Sequence, residues 1–132
     1  MKATVYTIRN LLPHPTLPHL RVAMVGEHQV VIGDHYADGL LGVYIPPDAI
    51  VPEPILRELW LWNEAIGRGR LAGTRGNQVK ARTMGGVLSD GLFYGSRWRD
   101  EAGTWHDSAS WDPAWTEGQD VSAALGVIDG NA

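Results

Sequence analysis

Alternating apolar and polar positions run through the first third of the chain and predict β-strands. Residues 2–8 alternate, with Thr4, Tyr6 and Ile8 on one side, because successive side chains of a strand point to opposite faces. Two runs rich in β-branched residues, 20–25 and 28–32, predict a hairpin around Gly26 and Glu27. Another strand is expected over residues 40–45, before two prolines. Three prolines in residues 11–19 predict a loop before the hairpin.

One segment has helical periodicity instead. Residues 54–66 begin with a proline, which suits the first turn of a helix. They carry one wide apolar stripe, formed by Ile55, Leu59, Trp62 and Ile66. The pattern predicts a helix that Gly67 ends. A glycine-rich loop over 67–77, strands near 78–84 and 92–94, and a short helix between Asp120 and Gly126 are expected to follow.

These elements indicate the fold class. A length of 132 residues suits a single domain spanning residues 1–132. About five short strands, glycines at the corners and one inserted helix favour a mainly β protein, a small five-stranded Greek-key barrel of the oligonucleotide-binding (OB) type. A β-sandwich would need more strands, and a parallel α/β sheet would need more helices.

Charge is distributed unevenly along the chain. The net charge of −4 argues against a protein that binds nucleic acid over its whole surface. Residues 65–89, however, contain no acidic side chain, whereas seven acidic residues and no lysine or arginine follow from Asp100 onward. The basic stretch supplies the candidate nucleic-acid-binding residues Arg68, Arg70, Arg75, Lys80 and Arg82. In a strand, Lys80 and Arg82 would share one face. The alternative is that the acidic tail covers these charges.

A tryptophan-rich stretch follows the basic one. Residues 97–115 hold four of the six tryptophans among Asp, Ser and Gly, and predict an elaborated hairpin or a loop packed by its own rings. Tryptophan is enriched in the energetically dominant positions of protein interfaces. The candidate protein-interaction residues are therefore Trp98, Trp105, Trp111 and Trp115.

Catalytic patterns are missing from the sequence. With no cysteine, thiolate metal sites and disulfides are excluded. The five histidines have no metal-ligand spacing, and Ser89 lacks the Gly-x-Ser-x-Gly context of a hydrolase nucleophile. We therefore expect no catalytic residue, no metal site and no cofactor. The start of the chain lacks the apolar stretch of a signal peptide, and no run has the length of a membrane span, so we expect a cytoplasmic protein without a membrane partner.

Several short segments follow one another in a recognisable order along the chain. They are Lys2-Ala-Thr-Val-Tyr-Thr-Ile, Pro13-His14-Pro15, Leu20-Arg-Val-Ala-Met-Val, Val43-Tyr-Ile-Pro-Pro-Asp, Leu56-Arg-Glu-Leu-Trp-Leu-Trp, Gly69-Arg-Leu-Ala-Gly, Gln78-Val-Lys-Ala-Arg, Gly86-Val-Leu-Ser-Asp-Gly-Leu and Glu117-Gly-Gln-Asp-Val-Ser-Ala-Ala-Leu-Gly-Val. This ordered set resembles the two-domain RNA ligases in which an OB-fold domain precedes a nucleotidyltransferase domain. The resemblance is to the N-terminal OB domain and covers residues 1–96 and 115–128.

The resemblance implies a non-catalytic module that binds RNA or nicked or single-stranded nucleic acid. Such ligases adenylate a lysine in a Lys-x-Asp-Gly-type motif, whereas Lys2 and Lys80 are the only lysines and neither lies in that motif. The chain also has Gly85 where the family usually has arginine, and residues 16–19 depart from its pattern after His-Pro. A ligase catalytic domain is one expected partner. The alternative is a protein-interaction or structural module, for example in a phage-type assembly, that docks through the acidic tryptophan-rich extension.

Overall fold

The computed structural model describes residues 1–131, which form a mainly β structure with two short helices. The longer strands are β1 (Thr4–Pro13), β2 (Leu20–Val25), β3 (His28–Gly33), β4 (Leu41–Ile45) and β10 (Leu92–Gly95). The short strands are β5 (Ala49–Ile50), β6 (Trp62–Asn63), β7 (Arg68–Gly69), β8 (Arg82–Met84), β9 (Val87–Ser89), β11 (Arg97–Arg99), β12 (Trp105–Asp107) and β13 (Ile128–Asp129). The helices are α1 (Glu53–Glu58) and α2 (Ser122–Leu125).

The five longer strands form one antiparallel sheet that curls into a half-barrel. Their order is β10-β4-β1-β2-β3. The β2–β3 hairpin pairs Leu20 with Gly33 and Val25 with His28, which confirms the predicted hairpin. The predicted strand over 40–45 is confirmed as β4, which lies between β1 and β10.

Strand β1 is longer than the sequence pattern predicts. The predicted loop over 11–19 is wrong at its start, because Leu12 and Pro13 pair with Val22 and Arg21 of β2. The register shifts between Arg9 and Leu12, and Asn10 has a left-handed φ of 54°. This irregularity lets the strand bend and continue beside β2, since a bulge adds local twist without ending the pairing.

The sheet has two buried faces. Along β4, Val43 and Ile45 belong to one apolar cluster while Tyr44 belongs to the other. In β10, Tyr94 belongs to the same cluster as Val43, and Phe93 belongs to the same cluster as Tyr44. The cluster that contains Tyr44 and Phe93 fills the curl of the half-barrel, and we call it the inner cluster. The cluster that contains Val43, Ile45 and Tyr94 is the outer cluster, and helix α1 and the C-terminal segment cover it. Alternation along the strands therefore supplies both cores.

The predicted helix over 54–66 is wrong in length, because α1 ends at Glu58. The Trp60 amide donates to the Arg57 carbonyl at 3.2 Å, and the Leu61 amide donates to the Leu56 carbonyl at 2.8 Å. This pair of bonds is a Schellman motif, which requires a left-handed residue at the first position beyond the C-cap. Trp60 takes that conformation with φ 57°. The chain then forms the β6–β7 hairpin, so Gly67 lies in a turn and does not end a helix.

The C-terminal third contains a hairpin and a short helix. Strands β11 and β12 pair antiparallel, which confirms an elaborated hairpin in the tryptophan-rich stretch. Helix α2 ends at Gly126, as predicted, in a left-handed conformation with φ 76°. Asp120 lies before the helix and accepts hydrogen bonds from the Ser122 amide and hydroxyl. In residues 1–131, no helix has the length and apolarity needed to cross a bilayer.

Candidate functional site

An apolar cavity of about 290 Å³ lies between the two edge strands of the half-barrel, β3 and β10, and two cationic side chains form part of its wall. Its wall includes Leu20, Val31, Leu59, Leu71 and Phe93, and Lys80 and Arg82 also line it. We call this feature the seam cavity. Beside the cavity, the short strand β9 is hydrogen-bonded to the edge strand β3, because the Ser89 hydroxyl accepts a hydrogen bond from the Val31 amide at 3.0 Å.

Backbone bonds place Lys80 at the seam cavity. The Val79 amide donates to the Ala49 carbonyl, and the Val79 carbonyl accepts from the Asp48 amide. Lys80 follows directly, and its ammonium donates to the Asp48 carboxylate. That hydrogen bond lowers the pKa of Asp48. Because Lys80 lies outside any strand, the prediction of one continuous strand over 78–84 is wrong.

Arg82 opens strand β8 and is exposed. The ion pairs within residues 1–131 include Lys80, which pairs with Asp48, but none of the arginines Arg68, Arg70, Arg75 and Arg82. Four of the five predicted nucleic-acid-binding side chains thus have no carboxylate partner in the described part of the chain. The idea that the acidic tail neutralises the basic stretch therefore fails for these four arginines.

The five predicted cations do not form one continuous group. Arg68 and Arg75 line a separate cavity of about 560 Å³ beside the β6–β7 hairpin. Arg68 donates there to the Gly73 carbonyl at 3.1 Å. Arg70 is exposed and lines neither cavity. The sequence-based prediction grouped these residues because they are close along the chain, whereas the hairpin separates them in space.

His14 connects the β1–β2 loop to the β8–β9 turn next to Arg82. Its imidazole accepts at Nδ1 from the amides of Thr16 and Leu17, at 3.1 and 3.0 Å, and donates from Nε2 to the Met84 carbonyl at 2.8 Å. The side chain is buried. Both ring nitrogens are occupied, so His14 has a structural role and is not free to bind a metal.

Gly85, which stands where the resembled family has arginine, has a steric explanation. It lies in the β8–β9 turn with a left-handed φ of 56°. A Cβ atom at this position would lie 2.6 Å from the Thr16 hydroxyl and 2.8 Å from His14. The loop that His14 organises therefore occupies the space that a longer side chain would need.

A second exposed feature joins residues far apart in the sequence. The Trp60 ring meets the Trp98 ring edge to face, with 5.2 Å between centroids and 87° between planes. His35 contacts Trp60 at 4.9 Å and 85°. These rings lie in an open concavity of about 600 Å³ that we call the aromatic cleft, lined by Asp34, His35, Trp60, Trp98, Arg99, Asp100 and Glu101. Sequence reasoning missed Trp60 and His35, because only the fold brings them to Trp98.

Two groups in the aromatic cleft have shifted pKa values. Burial lowers the pKa of His35, against the opposing effect of the Asp34 charge, so the imidazole is neutral at pH 7. The pKa of Asp100 is lowered chiefly by its hydrogen bond from His106, at 2.7 Å, and Asp100 is ionised. The lining of the cleft thus combines three acidic side chains with one guanidinium group.

The four predicted protein-interaction tryptophans lie in different surroundings. Trp98 and Trp105 are half-buried against the inner cluster, and the guanidinium groups of Arg97 and Arg99 lie 4.8 and 5.5 Å from the centroid of the Trp105 ring. Trp111 packs against Trp115, which is buried in the outer cluster. An interaction role for these four residues stays a prediction.

No protein-family model and no curated protein sequence matches the chain. Solved structures do match it. The RNA ligase of Naegleria gruberi with pyrophosphate has a TM-score of 0.70 and 21% identity, over 96% of this chain and 34% of the ligase. A lysine-to-alanine variant of that ligase with ATP and manganese gives 0.71 and 21%, over 98% and 35%. This chain has an RNA-ligase-like fold. It spans about a third of the length of those ligases.

Proposed function

We propose that the chain is a non-catalytic OB-type module that binds RNA, as a single strand or at a nick, along the seam cavity. The observation that carries the proposal is the pairing of two cations, Lys80 and Arg82, with an apolar cavity at the edge of the half-barrel. The similarity in fold to RNA ligases supports the same class of ligand.

The chemistry of the seam cavity suits an unpaired nucleotide. Half-buried apolar side chains such as Leu59 and Leu71 offer a surface for a base, and the cations offer contacts for the adjoining phosphates. Proteins that bind single strands combine these two elements, a positively charged groove and a stacking or apolar surface. Asp48 holds Lys80 in place through their ion pair, and Arg82 extends into solvent beside it.

The other predicted cations have a lesser part in the proposal. Arg70 and Arg75 are exposed and contact phosphates farther along a bound strand, where they add affinity without reading bases. Arg68 already donates to the Gly73 carbonyl and mainly shapes the β6–β7 hairpin.

The module is proposed to act in the cytoplasm together with a separate catalytic unit. Lys80 pairs with Asp48, and in this proposal its role is to contact phosphate. The adenylated lysine of the resembled ligases would then belong to another domain or another chain, which the module would help to position on RNA.

Fluorescence anisotropy with a labelled oligouridylate at low salt tests the proposal. The variant Lys80→Ala/Arg82→Ala should bind at least about tenfold more weakly, because each cation lost removes a phosphate contact. The variant Lys2→Ala/Arg9→Ala removes the same charge from exposed positions outside residues 65–89 and is the matched control. Equal weakening in both variants, or no binding by the unmodified protein, would contradict the proposal.

A further inference from the structure

Trp60 is unusually exposed for a residue in a strained backbone conformation. Its residue exposure is 54%, although it is the residue that closes helix α1 with a φ of 57°. Glycine meets that requirement without strain, and a bulky side chain at positive φ is an outlier that often marks a functional site. The indole is thus displayed at a position where the fold itself favours no side chain.

The ring surfaces around Trp60 form a corner. The ring planes of Trp60 and Trp98 are nearly perpendicular. The His35 ring also contacts Trp60, and its plane is nearly perpendicular to the Trp60 ring as well. His106 stacks on Trp98, with 4.4 Å between the ring centroids and 21° between the planes. Perpendicular aromatic rings with exposed faces are the arrangement that binds organic cations through the negative potential of the ring faces.

The acidic side chains of the aromatic cleft favour a positively charged ligand. Asp34, Asp100 and Glu101 line it against a single cation, Arg99. Asp100 is engaged with His106, whereas the ion pairs of residues 1–131 include neither Asp34 nor Glu101. Two carboxylates are therefore available to a ligand, and they would repel the phosphates of a nucleic acid.

The adjoining hairpin already contains contacts between guanidinium groups and an indole ring. Arg97 and Arg99 both lie over the ring of Trp105, with the guanidinium carbon 4.8 and 5.5 Å from the ring centroid. Guanidinium groups stack on indole rings and also donate paired hydrogen bonds to carboxylates, which a lysine ammonium does less well. The cleft offers both partners together.

We propose that the aromatic cleft binds an arginine side chain from a basic, extended segment of a partner protein. The guanidinium lies in the corner of Trp60 and Trp98 and donates hydrogen bonds to Asp34 and Glu101. This surface is separate from the seam cavity's cations Lys80 and Arg82, so the module binds a protein on one surface and RNA on another. The proposal does not depend on RNA binding.

Calorimetric titration with a synthetic hexapeptide of alternating arginine and glycine tests this inference. The same peptide with citrulline in place of arginine keeps the shape of the side chain and removes the charge. We expect the arginine peptide to bind and the citrulline peptide to bind at least about tenfold more weakly. Equal affinity for the two peptides, or no binding of the arginine peptide up to millimolar concentration, would overturn the proposal.

Protein variants locate the binding surface. Trp60→Gly removes the ring and suits the local backbone, so the fold is retained, and we expect about tenfold weaker binding of the arginine peptide. Asp34→Asn/Glu101→Gln should weaken it similarly and reduce its salt dependence. Trp62→Leu is the matched control, because Trp62 lies on the same segment but contacts Glu64 and Arg57 outside the cleft. If Trp60→Gly weakens oligouridylate binding and leaves peptide binding unchanged, the cleft belongs to nucleic acid and the proposal is wrong.

Discussion

The edge-to-face contact between Trp60 and Trp98 joins the end of helix α1 to the β11–β12 hairpin, with 5.2 Å between the ring centroids. Trp60 reaches this contact from a left-handed backbone conformation. The left-handed conformation of Trp60 destabilises the folded protein, whereas the ring contact stabilises it. The two contributions to the free energy of unfolding can be measured separately.

Replacing Trp60 by glycine and by alanine separates the backbone from the ring. Both variants lose the indole, but only glycine relieves the left-handed φ of 57°. We expect the free energy of unfolding of Trp60→Gly to exceed that of Trp60→Ala by about 1 kcal/mol. Denaturant unfolding followed by circular dichroism measures the difference.

Helix α2 provides the matched control for this comparison. Gly126 occupies the corresponding left-handed position with φ 76°, and a Cβ there meets only ordinary contacts with Pro52. Gly126→Ala should therefore cost about 1 kcal/mol, close to the difference between the two Trp60 variants. Equal stability of Trp60→Gly and Trp60→Ala would show that the conformation is not strained.

Replacing His14 by alanine should be strongly destabilising. The change removes the hydrogen bond that joins the β1–β2 loop to the Met84 carbonyl and two more that His14 accepts from the amides of Thr16 and Leu17 within the loop. We expect a loss of about 2–4 kcal/mol in the free energy of unfolding. His19→Ala, at an exposed position of the same loop, should change it by less than about 0.5 kcal/mol. Similar effects of the two substitutions would contradict the role of His14.

Two adjacent glycines should respond differently to alanine. Gly85 and Gly86 both have positive φ, at 56° and 86°. A Cβ at Gly85 meets Thr16, His14 and Leu17 within 2.8 Å, whereas a Cβ at Gly86 meets nothing within 4 Å. Thermal unfolding should therefore show that Gly85→Ala lowers Tm more than Gly86→Ala, because only the first adds a clash to the shared conformational cost. A larger effect at Gly86 would refute this explanation of Gly85.

The protonation of His35 should oppose folding at acid pH. Burial lowers its pKa in the folded protein below the ordinary value, so the unfolded chain binds the proton more readily. As pH falls below about 6.5, the wild-type protein therefore loses stability relative to His35→Phe, which keeps a ring against Trp60. Denaturant unfolding of both proteins between pH 7 and 5 (about the range in which free histidine titrates) measures the difference. Parallel pH profiles would contradict the prediction.

The strands of the half-barrel were largely predictable from sequence, whereas the helix boundary was not. The β2–β3 hairpin follows from β-branched runs around a tight turn, and each residue's face follows from alternation. Helix α1 ends at Glu58 because Trp60 takes a conformation that glycine usually supplies, and Leu59 and Trp62 still match a helical stripe. No local pattern in the sequence marks such an end.

The candidate sites were predictable only in part. The absence of acidic residues over 65–89 led to Lys80 and Arg82, which the structure does bring to one cavity. The same reasoning grouped Arg68 with them, although the β6–β7 hairpin carries it to another cavity. The aromatic cleft depends on contacts between distant segments, so one sequence without tertiary structure could not reveal it.

The salt dependence of RNA binding tests the central claim most directly. For a single strand, the slope of log K against log salt concentration is about −0.7 for each phosphate neutralised. If Lys80 and Arg82 each contact a phosphate, Lys80→Ala/Arg82→Ala should flatten the slope for oligouridylate by about 1.4, and Lys2→Ala/Arg9→Ala should leave it unchanged. An unchanged slope in the seam-cavity variant would contradict the proposed RNA-binding site.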